Sequence, residues 1–319
     1  MKKFFRWLFV FFAVGAVTLD AAPRQAKFYG KNYFNFNDLS ISLKLRRTRT
    51  EKSFQYFLGN RKILQLDNKS LSAQFRGMDI ALASQIVFHN GAPYITASDW
   101  NSTLRILFAP RLARRQKVRT IVLDPGHGGR DRGAAGRYVN EKKTTLRLAL
   151  RVAALLRAKG YRVLLTRSSD RTVALADRAA FAKRNRADLF ASIHFNSAKP
   201  AVHGIETYCL TPAGVPSSND RAKKKGNQSF CPGNRWDANN ILLAANVHQR
   251  LLVRTGAADR GLKRARFAVL RDLDSPGILI EAGFLSNHYE EKRLLSNTYI
   301  ETLARAIADG IVEYIKSVR

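Results

Sequence analysis

A histidine bracketed by glycines, His127 in Leu123-Asp124-Pro125-Gly126-His127-Gly128-Gly129, follows directly on the apolar run Thr120-Ile121-Val122-Leu123. Glycine lets a backbone approach a ligand closely and Pro125 stiffens the turn, so this imidazole could serve a metal, a proton or a phosphate. No P-loop lysine and serine accompany the loop, which weakens the phosphate option. Three residues narrow the rest: Glu141, His194 and Glu281. Two histidines and one carboxylate can hold a catalytic zinc with a position left open for water. The metal lowers the water's pKa and polarises a carbonyl oxygen. A second carboxylate outside the ligand set must then carry the proton to the leaving nitrogen. Glu281 is the candidate, because it ends the apolar stretch Gly277-Ile278-Leu279-Ile280, where a charge is costly unless paired or used. Each residue also has a bland account: a surface histidine, a helix-start glutamate, a salt-bridge partner.

The elements around these residues decide whether they can meet. Strand-like runs lie at 120–123, 161–166, 188–193, 204–210, 266–270 and 277–281. Helical patterns lie between them. Leu146, Ala149, Leu150, Ala153 and Leu156 share one face of a helix that Gly160 ends. Others cover 173–185, roughly 238–254 and 299–317. This alternation predicts an α/β catalytic domain, with a mostly parallel central sheet flanked by helices on both faces. His127, His194 and Glu281 each follow a strand's carboxyl end, where ligands bind in open α/β sheets. Asn140 is placed to cap the helix that Glu141 opens, and the helix dipole there favours the ionised carboxylate.

The segments Ile121-Val-Leu-Asp-Pro-Gly-His-Gly-Gly129, Asn140-Glu141, Ser192-Ile-His-Phe-Asn196, Gly204-Ile-Glu-Thr-Tyr208, Asp259-Arg-Gly-Leu262 and Ile278-Leu-Ile-Glu-Ala-Gly-Phe-Leu-Ser-Asn287 occur in that order. Together they resemble the zinc-dependent N-acetylmuramoyl-L-alanine amidases of bacterial cell walls. The resemblance implies that His127, Glu141 and His194 bind one Zn2+ and that Glu281 is the catalytic acid/base. It implies a substrate in peptidoglycan: the amide joining the muramoyl lactyl group to the L-alanine of the stem peptide. Asn196 and His203 are candidate substrate contacts, and Asp124 and Asp131 could orient the ligands as hydrogen-bond acceptors. His89, His248 and His288 are assigned to no metal. The alternatives in view are a zinc carboxypeptidase or endopeptidase acting within the stem peptide, and a non-catalytic wall-binding protein.

The remainder of the 319 residues frames that site. Residues 1–22 read as an export signal: Lys2, Lys3 and Arg6 precede an apolar stretch from Leu8 to Leu19, with Ala21 and Ala22 near a cleavage point. Export implies a periplasmic or cell-envelope location. The 55 basic against 24 acidic residues leave a net charge of +31, which speaks about partners more than fold. An exported chain rarely meets nucleic acid, so an anionic envelope polymer is the better match, and an activator protein is a further candidate partner. Residues 23–50 read as an irregular lead-in and 51–109 as a small β-rich module. Hairpins are signalled there by Gly59-Asn60 and Asn90-Gly91. Through Gly91, Tyr94, Ile95 and Asp99 that module resembles copper amine oxidase N-terminal-like domains, without implying copper. A basic linker, 110–117, leads to the catalytic domain, 118–319. An insert at 211–238 is rich in Gly, Pro and Ser, which disfavours helix. It reads as a basic lip for glycan or stem-peptide carboxylates, pinned by a Cys209–Cys231 disulfide, or else as a solvated loop.

Overall fold

The computed structural model describes residues 22–218 and 229–319. The expected export signal, apart from Ala22, and the centre of the 211–238 insert therefore lie outside the described residues. The described residues open with the strands β1 (Gln25–Phe28) and β2 (Lys31–Asn35), the helix α1 (Phe36–Ser42) and β3 (Arg46–Arg49). This corrects the expectation of an irregular lead-in over 23–50. Phe36, Leu39 and Leu43 are buried, and the Asn35 side chain caps the helix by accepting from Asn37 N. The helix has seven residues, too few for its period to stand out among the surrounding Lys and Arg.

β4 (Ser53–Leu58) and β5 (Arg61–Asp67) turn at Gly59-Asn60, and β6 (Ser72–Phe75) and β7 (Met78–Ala81) follow. β8 (Val87–His89) and β9 (Ala92–Thr96) turn at Asn90-Gly91, both at positive φ, as a type I′ hairpin turn requires. α2 (Ala97–Asp99) continues through a π-helical turn, Trp100–Leu104, into α3 (Arg105–Phe108). Residues 110–117 are docked rather than a free linker. The Asn239 side chain bonds both the N–H and the carbonyl of Arg114, and Gln116 N donates to Val318 O.

The second half contains β10 (Thr120–Pro125), α4 (Glu141–Arg157), β11 (Arg162–Leu165), α5 (Leu175–Arg184), β12 (Leu189–Asn196) and β13 (Ile205–Leu210). It continues with α6 (Asp237–Thr255), β14 (Asp259–Ala265), α7 (Ala268–Arg271), β15 (Gly277–Phe284), α8 (His288–Leu295) and α9 (Asn297–Ser317). The expected strand at 266–270 is thus corrected: the strand is β14, upstream, and 268–271 is a helical turn. The short apolar run Phe267-Ala-Val-Leu270 is ambiguous between strand and helix, while the basic residues of β14 hide its alternation.

Among the described residues, eleven strands form one sheet in the order β11-β10-β12-β15-β13-β14-β7-β6-β5-β4-β3, and β1-β2-β9-β8 form a second. β11, β10, β12 and β15 run parallel, whereas β13 and its parallel neighbour β14 run the other way. In the amidase-like half the sheet is therefore mostly parallel, as expected. The N-terminal strands join it where Leu262 pairs with Ile80. Leu148, Val152, Leu242, Val247, Ile307 and Ile311, from α4, α6 and α9, pack one face. Ala179, Ala182, Val269 and Leu270, from α5 and α7, pack Val122, Phe190, Tyr208 and Leu279 on the other.

That two-faced arrangement also decides the cysteines. Cys209 and Cys231 are both free thiols, so the expected disulfide is not formed. Along β13 side chains alternate between faces: Cys209 joins the core beneath α6 and α9, while Cys231 packs with the cluster on the opposite face.

Candidate metal and hydrolytic site

Asn140 Oδ1 accepts from Lys143 N at 3.3 Å and opens α4, which puts Glu141 in the first turn with its carboxylate buried. Glu141 Oε2 lies 3.0 Å from His127 Nε2, and Oε1 lies 2.9 Å from His194 Nδ1. Backbone N–H groups of Ala134 and Phe195 donate to the same carboxylate at 2.8 and 3.0 Å. Donor atoms of His127, Glu141 and His194 all lie within 4.8 Å of one another. Burial pushes the Glu141 pKa up, but hydrogen bonds and charge from the two imidazoles outweigh it and bring it down to about 2. The space around the trio is kept clear by glycine. A Cβ on Gly126 would stand 2.2 Å from the His194 ring, and one on Gly133 2.5 Å from Glu141 Oε2. Two imidazoles and an ionised carboxylate in a cleared cradle fit a zinc-type cation.

The His127 loop is pinned from behind. His127 itself has φ +61°, a left-handed conformation that residues other than glycine seldom adopt. Its Nδ1 lies 2.8 Å from Asp131 Oδ2, which leaves Nε2 facing Glu141. Two buried arginines collect the loop's carbonyls. Arg167 donates to Pro125 O and Gly126 O at 2.9 and 2.8 Å. Arg178 donates to Pro125 O and His127 O at 2.9 and 3.0 Å. Asp124 does not touch the trio, which corrects its expected place beside the ligands. It is fully buried, paired with Arg178 at 2.7 Å and accepting from Thr166 and Ser192. The alternation of β10 explains this: Asp124 faces Ser192, its partner across the sheet, rather than the strand end.

Glu281 stands on β15 directly across from His194 on β12 and from Glu206 on β13. Directly paired residues project from the same face, so the three form a row across the sheet. Glu281 Oε2 is buried and has no hydrogen-bond partner among the described residues. Burial first, then the charges of Glu141 and Glu206, raise its pKa well above the usual carboxylate value, against the pull of Lys263. Glu206 is buried too but compensated. Lys263 Nζ and Arg260 Nε approach its Oε1 at 2.6 and 3.0 Å, and Tyr208 Oη and Asn196 Nδ2 donate to its Oε2 at 2.7 and 3.2 Å. Burial would raise the Glu206 pKa, yet these partners hold it below the ordinary value.

The structure thus brings His127, Glu141, His194 and Glu281 together, with Asp131 and Asn196 beside them. His203 is exposed, with its Nδ1 3.1 Å from Ala201 O. Sequence reasoning did not single out Arg167, Arg178, Glu206, Arg260 or Lys263. A basic chain offers few grounds for choosing among its arginines. Glu206 carried one available signal, an acid within the otherwise uncharged run Ile205 to Leu210.

At the ends of parallel strands, His127, Glu141 and His194 are thus placed to hold a metal ion, and the unpartnered Oε2 of Glu281 stands on the next strand. The family profile described as N-acetylmuramoyl-L-alanine amidase matches residues 121–313, more than half of the chain, and the chain belongs to that family. It is 33% identical over 197 residues to the N-acetylmuramoyl-L-alanine amidase LytC of Bacillus subtilis, a match covering 62% of this chain and 36% of that protein. Over 230 residues it is 32% identical to AmiC of Escherichia coli, covering 64% and 55%. The match therefore spans only part of the length of these relatives. Among solved structures, the catalytic domain of CwlV from Bacillus (Paenibacillus) polymyxa var. colistinus superposes with a TM-score of 0.53 at 33% identity, covering 62% of this chain and 99% of that one. CwlD of Clostridioides difficile, solved in complex with the GerS lipoprotein, gives 0.52 at 28% identity, covering 62% and 98%.

Proposed function

We propose that this chain hydrolyses the amide between N-acetylmuramic acid and the L-alanine of the peptidoglycan stem peptide. Zinc bound by His127, Glu141 and His194 would supply the Lewis acid that polarises the scissile carbonyl and acidifies water. The residues of the chain do the rest. Asp131 accepts from His127 Nδ1 and so leaves Nε2 unprotonated towards the metal. Arg167 and Arg178 keep the loop carbonyls in place, and with them the imidazole. Glu281 takes the proton of the attacking water and returns it to the departing alanine nitrogen. Its burial and the neighbouring carboxylates raise its proton affinity, as a group needs that must accept and return a proton near neutral pH.

One observation carries this reading: the partnerless buried oxygen of Glu281, one strand away from the ligand trio. Its test is Glu281→Gln. The variant should keep its zinc, measured by elemental analysis, yet release stem peptides from purified sacculi at least about a hundredfold more slowly. Undiminished release would sink the assignment.

The substrate places the protein in the envelope, in keeping with the basic-then-apolar reading of residues 1–22. A charge of +31 suits an anionic envelope polymer as a partner. That CwlD was solved in complex with a lipoprotein supports a protein partner as well, an activator among the candidates. Recovery of the protein from cytosol alone on fractionation would contradict the location.

A further inference from the structure

Resting on the amidase reading, we propose that Arg260 and Lys263 form a subsite for a carboxylate on the second or third residue of the departing stem peptide. Strand direction brings these residues together. β13 and β14 run opposite to β15, so their first residues lie beside the last residues of β12 and β15. This puts His194, Glu281, Glu206 and the cationic pair in one line across four neighbouring strands. The line has a chemical order: a cation cradle, the proton-carrying Glu281, the buried Glu206, then Arg260 and Lys263.

The charge in this last stretch does not balance. One carboxylate, Glu206, faces two cations, both on the same oxygen. The Arg260 contact uses Nε alone. No described residue accepts from its two terminal nitrogens, and the side chain is 35% exposed. Its orientation is fixed all the same. The guanidinium carbon lies 5.0 Å from the centre of the Phe284 ring, and a Cβ on Gly204 would come within 2.9 Å of the Arg260 stem. A planar donor fork held by Nε and by ring stacking, with its outer edge open, is built to receive a carboxylate through two parallel hydrogen bonds.

The reaction supplies the direction. Glu281 must reach the leaving nitrogen, so the peptide departs on the Glu281 side of the cation cradle. From β15 to β14 is two strand spacings, about 10 Å at ~4.8 Å each. An extended peptide advances ~3.3–3.6 Å per residue. That distance brings the second or third residue beyond the scissile bond opposite Arg260 and Lys263.

The test uses the zinc-loaded full chain and two muramoyl tripeptides. They differ only in whether the carboxylates of the second and third residues are free or converted to carboxamides. The wild type should favour the free acid in kcat/KM by roughly ten- to a hundredfold, the range expected for charge-assisted hydrogen bonds, and mainly through KM. Arg260→Gln should bring that ratio close to one, and Arg260→Lys should retain part of it. If Arg260 only props Glu206, its loss slows both substrates alike and the ratio stands, which overturns the proposal. A wild type that cleaves both without preference overturns it independently of whether any variant folds. Cleavage of neither overturns the amidase reading and this assignment with it.

Discussion

At the β10–β14 end of the large sheet, Asp124, Glu141, Glu206 and Arg178 are buried charges, each held by named partners, and Glu281 has one buried oxygen without a partner among the described residues. At the β3–β7 end the same sheet buries Phe54, Tyr56, Leu64, Leu66 and Phe75, and its principal features are packing contacts. Strand direction accounts for the contrast. Antiparallel hairpins such as β4–β5 close their own ends with their own turns. Parallel strands end together with no turn between them, and the reversed β13 and β14 bring their starting residues to the same edge. Side chains from four strands then meet at one edge, at the kind of switch point where open α/β sheets bind ligands. A buried charge is affordable there only because each is answered by a specific partner.

The two ends nevertheless share a core. One continuous cluster runs from Phe36 and Leu64 through Leu148 to Ile307 and Val318, so the chain should unfold in a single cooperative transition. Leu64→Ala, at a fully buried position, should cost about 2–5 kcal/mol and move that one transition in denaturant titrations. Two transitions, of which only one responds, would show that the two ends fold separately. The same variant should leave zinc affinity unaltered. Asp131→Ala should do the reverse. Removing the acceptor of His127 Nδ1 should weaken zinc binding by about 10–100-fold, in competition with a chelator, while the unfolding midpoint of the metal-free protein barely moves. A large loss of stability would mean that Asp131 serves the fold more than the ligand.

A smaller effect is expected at the seam between the two ends. Asp259 accepts from Asp79 N of β7 at 2.8 Å and lies 2.9 Å from His248 Nε2. Burial raises its pKa, but the His248 contact and the backbone donors outweigh that and hold it below 3.8. A carboxyl with a depressed folded pKa contributes stability above its unfolded value, and loses it as pH falls through the folded one. Stability should therefore decline below about pH 4, and Asp259→Asn should flatten that part of the curve. An identical acid limb in the variant would remove Asp259 from the account.

Much of the site could be read in advance because its residues interrupt strong local patterns. His127 stands in a glycine loop after an apolar strand, Glu281 ends one, and Asn140-Glu141 opens an amphipathic helix. What escaped reading depends on contacts between distant segments. Arg167 and Arg178 act on carbonyls more than 40 residues upstream, and nothing local marks them among so many basic residues. The lead-in folds because Phe36 and Leu39 find a core supplied by later strands. Cys209 and Cys231 stay apart because a sheet separates them, a fact of three dimensions rather than of spacing.

The bond that is cut decides the assignment. Purified sacculi digested with the zinc-loaded protein should release stem peptides, and mass analysis with N-terminal labelling reads their first residue. The account predicts intact stems with a free L-alanine amino terminus. Shortened stems, or single amino acids from the far end with L-alanine still blocked by muramic acid, would mark a peptidase acting within the stem and contradict it.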